Sequence, residues 1–195
     1  MGKSPSRAMT RPRSFQSSEE LRAWLAKKHA QAPGLLLRIY KKDSGVTSVT
    51  YAEALDQALC FGWIDGQKLP FDAHSWVQKL TPRRAKSGWS KMNVARVDRL
   101  IRAGQMTPAG LKEVEAAKAD GRWAAAYDSS ATATVPPEFV KELARNAKAK
   151  QFYATLNKAN RYAIAYRLQT AKRPETKFRR IRLIIEMLGR GEKFH

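Results

Sequence analysis

Two four-residue signatures decide most of the first half of this chain. Ser17-Ser18-Glu19-Glu20 and Thr50-Tyr51-Ala52-Glu53 each set a hydroxyl residue three positions ahead of a glutamate. In that pattern the hydroxyl caps a helix and the glutamate reaches back to the cap. The first predicts a helix with Leu21, Trp24 and Leu25 on one face, ending near His29. The second predicts a helix with Leu55, Ala58, Leu59 and Gly62 at helical spacing, stopped by Gly62 or Gly66. Between them Leu35-Leu36-Leu37-Arg38-Ile39-Tyr40, bounded by Pro33-Gly34 and a loop over Asp43-Ser44-Gly45, is a short apolar run and reads as a largely buried strand. From Gln67 to Thr81 the apolar residues surround a turn at Phe71-Asp72-Ala73-His74, which predicts a hairpin. Helix, strand, helix, strand, strand is the order of an α+β unit with a small, mainly antiparallel sheet.

Strand signals stop beyond Ser90. Val94, Val97 and Ile101 form a helical stripe closed by Gly104, and Thr107-Pro108 supplies an N-cap and a first-turn proline for a helix that Gly121 ends. Asp128 to Pro137, rich in Ser, Thr and Ala and ending in Val-Pro-Pro, reads as a linker. Four stripes follow it, Val140/Leu143/Ala144/Ala147, Ala149/Phe152/Tyr153/Leu156, Ala159/Tyr162/Ala163/Tyr166 and Ile181/Ile184/Ile185/Leu188. The expected organisation is a disordered basic arm over 1–14, an α+β core over 15–127, a linker over 128–137 and an all-helical C-terminal extension over 138–195.

Charge narrows the function classes. With 37 Lys and Arg against 17 Asp and Glu the chain carries +20, a field that attracts nucleic acid, anionic surfaces or phosphorylated ligands and repels cations. Residues from 129 onward hold 15 of those cations and 5 of the acids, so each part of the chain carries half of the excess. A single cysteine excludes an internal disulfide, and it gives no metal-ligand spacing with His29, His74 and His195. No metal or cofactor is expected. No apolar run is long enough for a signal-peptide core or a membrane span, which makes the expected location the cytoplasm.

Residues 59–93 concentrate the unusual side chains: the cysteine, three of the five tryptophans (Trp63, Trp76, Trp89), an Arg-Arg pair and an aspartate among small and aromatic neighbours. Arg83 and Arg84 leave a strand end, where a fork of donors suits phosphate or carboxylate oxygens, and Lys86, Trp89, Ser90, Lys91 and Asn93 follow. Ser90 or Asn93 also serves as a cap for the next helix, and Trp89 is either core or a stacking platform. Asp65, between Ile64 and Gly66, reads as a helix-to-strand turn residue, or as a group that orients an arginine or acts as a base. Cys60, near a helix C-terminus with no adjoining His, is a weak nucleophile candidate and a natural buried thiol.

At these residues the chain resembles the YdeI/OmpD-associated, or bacteriocin-protection, family. The resemblance runs through Tyr51-Ala52-Glu53-Ala54, Ala58-Leu59-Cys60-Phe61-Gly62-Trp63-Ile64-Asp65-Gly66, Thr81-Pro82-Arg83-Arg84, Ser87-Gly88-Trp89-Ser90, Asn93 and Arg99. It continues over Met106-Thr107-Pro108-Ala109-Gly110, Gly121-Arg122-Trp123, Asn160-Arg161, Ala171-Lys172-Arg173-Pro174-Glu175-Thr176 and Arg179-Arg180-Ile181. Resemblance implies a role in surviving bacteriocins or envelope stress and transfers no catalytic residue. The leading expectation is a binder of an anionic ligand, nucleic acid or a phosphorylated molecule, through Arg83, Arg84, Lys86 and Lys91 with Trp89, Trp63, Ser90, Asn93 and Asp65 nearby. The alternatives are an enzyme on a small phosphorylated or carboxylated substrate, using Asp65 and Cys60, and an adaptor acting through the helical tail.

Overall fold

Ser17 caps helix α1 (Ser18–Lys28) by accepting from the Glu20 N–H, and the Glu20 carboxylate accepts from the N–H of Gln16 at 2.8 Å, one residue ahead of the cap. Helix α2 (Tyr51–Cys60) has the full reciprocal box between Thr50 and Glu53. The computed structural model describes residues 11–193, so residues 1–10 of the expected arm lie outside them. Arg13, near the end of that arm, donates its N–H to Leu36 O and accepts from Arg38 N–H, a parallel bridge along the outer edge of strand β1 (Leu35–Tyr40).

Strands β2 (Trp63–Pro70) and β3 (Ser75–Pro82) complete a three-stranded antiparallel sheet in the order β1-β3-β2. Leu35 lies opposite Leu80, and Trp63 opposite Pro82. β2 begins four residues earlier than its apolar pattern predicts. Gly62, at a φ of 74°, reverses the chain in a single step, so the strand starts directly behind α2. Asp65 is therefore a strand residue opposite Leu80, not a turn residue. The pairing slips between Asp65 and Lys68, and Gln78 Nε2 donates to the Gly66 carbonyl there at 2.8 Å, answering a group the bulge takes out of the ladder.

Helices α3 (Lys91–Arg102) and α4 (Pro108–Ala119) follow, the latter capped by Thr107. Within the described residues the chain forms two compact units, one of 11–87 and 95–123, the other of 88–94 and 124–193. The first is the α+β unit, with Leu21, Leu25, Leu37, Ala58, Leu59, Trp63 and Leu80 buried in its core. Its α2 meets α4 closely enough that Gly110 has the Cys60 carbonyl in the place of a side chain.

The second unit holds α5 (Pro137–Ala144), α6 (Ala147–Thr155), α7 (Lys158–Gln169) and α8 (Pro174–Gly189) around Phe139, Leu143, Leu156, Ile164, Leu168, Ile181, Ile184 and Leu188. Two expected stripes are rotated. In α5 Leu143 is buried as expected, but its core partner is Phe139, while Val140 is 52% exposed. In α7 the buried ridge is Asn160/Ile164/Leu168 with Ala165, and Tyr166 is exposed, its ring edge-on to Tyr127 at 4.9 Å. Tyrosine keeps a polar tip in water, so the aliphatic pair Ile164 and Leu168 at i, i+4 outcompetes it for the interior. Residues 128–137 lie inside this unit. Gln169 accepts from the Asp128 N–H and donates to the Asp128 carboxylate and to the Thr134 carbonyl.

Candidate anion-binding surface

The residues between β3 and α3 form a loop whose two ends are fixed. Arg83 N–H donates to the Gly62 carbonyl at 3.0 Å, and the Arg83 residue is only 8% exposed. Ser87 closes a turn, its N–H donating to Arg84 O and its hydroxyl accepting from Arg84 N–H. The Ser87 carbonyl accepts from Arg122 Nη1 at 3.0 Å, and Arg122, itself buried, is held by both carboxylate oxygens of Asp120. What remains outside is the tip. Arg84 and Lys86 are exposed, and neither has an acidic partner among the described residues. A fixed loop loses less conformational freedom when it meets a ligand than a free one does.

Burial divides the other candidates. Trp63 is core, its indole N–H donating to the His29 carbonyl at 3.2 Å. Trp89 is 2% exposed, which makes it a core residue rather than a stacking platform. Arg83 and Trp89 belong to different units. Ser90 is the cap of α3, its hydroxyl accepting from Asn93 N–H, so Asn93 serves inside the first turn. Lys91 pairs with Asp128 at 2.7 Å, and that ammonium holds the Asp128 carboxyl below its ordinary range.

Asp65 accepts from the Tyr51 hydroxyl at 2.6 Å. Burial, with the Asp65 contact added, pushes the Tyr51 phenol well above its ordinary value, so it stays a neutral donor and occupies one oxygen of the would-be base. Its ring lies 6.0 Å from that of Trp76, over which Lys68 Nζ sits at 4.3 Å. Asp56 takes Arg96 and Arg99 together, a pair visible as arginines three apart on a predicted helix but given no partner by the sequence. Neither Tyr51 nor Asp56 entered the sequence-based site.

Cys60 is fully buried, and burial pushes its thiol up, away from the thiolate a nucleophile needs. A thiol reagent should label native protein slowly and unfolded protein at once, and Cys60→Ala should leave ligand binding unchanged. Fast labelling of the native chain near neutral pH would contradict this. Among the described residues no group of His, Cys, Asp and Glu could hold a metal ion, and no helix is long and apolar enough to cross a membrane.

A family model described as a domain of unknown function (DUF8412) matches residues 13–113. A second, described as bacteriocin-protection, YdeI or OmpD-associated, matches residues 132–191. The expected resemblance thus holds for the helical region, where Asn160-Arg161 and Ala171 to Ile181 lie, while the loop and sheet fall under the other description. No curated protein and no solved structure matches the chain.

Proposed function

This chain belongs to the family defined by that domain of unknown function, whose model spans more than half of it, and on that premise we propose that it binds an anionic ligand, nucleic acid or a phosphorylated molecule, through the Arg83–Ser87 loop. The observation that carries this reading is the loop itself: anchored at Gly62 and at Arg122, which Asp120 holds, it offers Arg84 and Lys86 with no acid to neutralise them among the described residues. The charge of +20 adds attraction at a distance. Arg83, buried, supports the loop, and the ligand meets Arg84 and Lys86. The bacteriocin-protection description of residues 132–191 brings in survival of envelope attack as the setting. A protein of this charge repels cationic peptides, so capture of such a peptide is not part of the proposal.

Fluorescence anisotropy with a labelled DNA duplex tests it. The logarithm of affinity should fall linearly with the logarithm of salt concentration, by about 0.9 per phosphate neutralised. The double variant Arg84→Ala/Lys86→Ala should lower that slope by about two with little change in melting temperature. An unchanged slope would assign the attraction to diffuse charge and remove the loop from the site.

A further inference from the structure

The second unit contains a cleft that the loop reading does not use. Its volume is about 670 Å³, within the range of pockets that take small organic ligands, roughly 300–1,000 Å³. Residues 130–135 form one wall, and α5, α6 and α7 supply the others. The floor is apolar, with Val135, Val140 and Leu156. Val140 is the half-exposed valine that the core of α5 leaves outside, and the cleft is what it faces.

Both charged residues that line the cleft, Lys158 and Arg161, are cations; no acid does. Arg161 is fixed in place: Nη2 donates to the Ala154 carbonyl at 2.7 Å, and the guanidinium lies 5.6 Å from the Tyr153 ring. That leaves the rest of its donor fork open. Lys158 has no ion pair among the described residues. Tyr153 and Tyr162 complete the lining, and burial pushes both phenols above their ordinary value, so they remain neutral donors with apolar rings. Two cations beside aromatic rings over an aliphatic floor match a ligand of mixed character.

We propose that this cleft is a binding site for a small amphipathic anion, a carboxylate or phosphate monoester on an apolar or aromatic body, with Lys158 and Arg161 holding the anionic group and Val135, Val140, Tyr153 and Tyr162 the body. A bare polyanion lacks the apolar part, and an uncharged aromatic leaves both cations without a partner. The site lies wholly in the unit of 124–193 and does not depend on the Arg83–Ser87 loop.

Calorimetric titration of the full chain with 1-naphthoate, 1-naphthyl phosphate, 1-naphthol and inorganic phosphate tests it. Both naphthyl anions should bind with one-to-one stoichiometry, and the tighter of the two identifies the natural anionic group. Naphthol should bind at least roughly tenfold more weakly, the loss expected when a hydrogen bond to a charged group is removed, and inorganic phosphate at least roughly tenfold more weakly because it buries no apolar body. Lys158→Gln should weaken the anions by roughly tenfold and leave naphthol unchanged. Arg161→Gln should do the same; if it disturbs the fold, Lys158→Gln, on an exposed side chain, decides alone. Arg84→Ala/Lys86→Ala should leave naphthoate binding intact, which separates this site from the loop. Equal affinity for naphthol and naphthoate, no binding of either anion, or full affinity in Lys158→Gln would overturn the proposal.

Discussion

Replacing Phe139 by alanine is expected to remove roughly 3–5 kcal/mol of stability, the cost of deleting a buried aromatic ring and leaving a cavity that the surroundings only partly fill. Phe139 is fully buried, packs edge-on to Tyr153 at 5.6 Å between ring centroids, and belongs to the core cluster of the second unit. Native stability is commonly only about 5–15 kcal/mol, so the variant should sit close to unfolding. Urea denaturation should show the midpoint falling with the slope retained. Val140→Ala is the internal control. The neighbouring valine is exposed, so its loss should change stability within about 0.5 kcal/mol. If Val140→Ala proves the more costly, α5 presents its other face to the core and the cleft beside Val140 is wrongly drawn.

Gly110→Ala should be the most damaging small substitution in the first unit. A Cβ there would stand 2.3 Å from the Cys60 carbonyl oxygen and 2.8 Å from Met106 Cε. Met106 can swing away, but the carbonyl cannot, because the Thr107 N–H and hydroxyl both donate to it, at 3.1 and 2.6 Å. Relief requires α4 to move off the end of α2. Overpacking of this kind costs about 1–3 kcal/mol, and a backbone obstacle places it at the upper end. The movement would also uncover Cys60, so the thiol should react faster in the variant than in the parent at the same pH. A melting temperature and labelling rate equal to the parent's would mean that the two helices pack more loosely than the geometry requires.

The sequence recovered the local decisions and missed several that depend on distance. Arg83 and Arg84 are indistinguishable as neighbours in a string, yet one is buried against the α+β unit and the other exposed at the loop tip. Trp89 followed the commoner fate of tryptophan, and Asp65 became a strand residue because Gly62 ends α2 in one step. The Tyr51–Asp65 contact was hidden for the same reason: an early β2 sets that carboxylate beside the first turn of α2.

What the residues determined by themselves is whatever interacts within a few positions along the chain. Ser17 with Glu20, Thr50 with Glu53 and Thr107 with Gly110 fix where helices begin, while the end of α2 stayed open between Gly62 and Gly66 until the structure placed it at Gly62. The short apolar run Leu35–Tyr40 between turn residues marks a strand, but that Leu35, Leu37 and Ile39 are its buried side was decided by packing. Tertiary structure alone decided which cations remain available. Arg96 and Arg99 are neutralised by Asp56, 40 and 43 residues away, and Arg122 reaches Ser87 across 35. Such pairs form only once packing closes the intervening chain, and an ion's solvation and its partners, not its place in the sequence, determine whether it is free to meet a ligand.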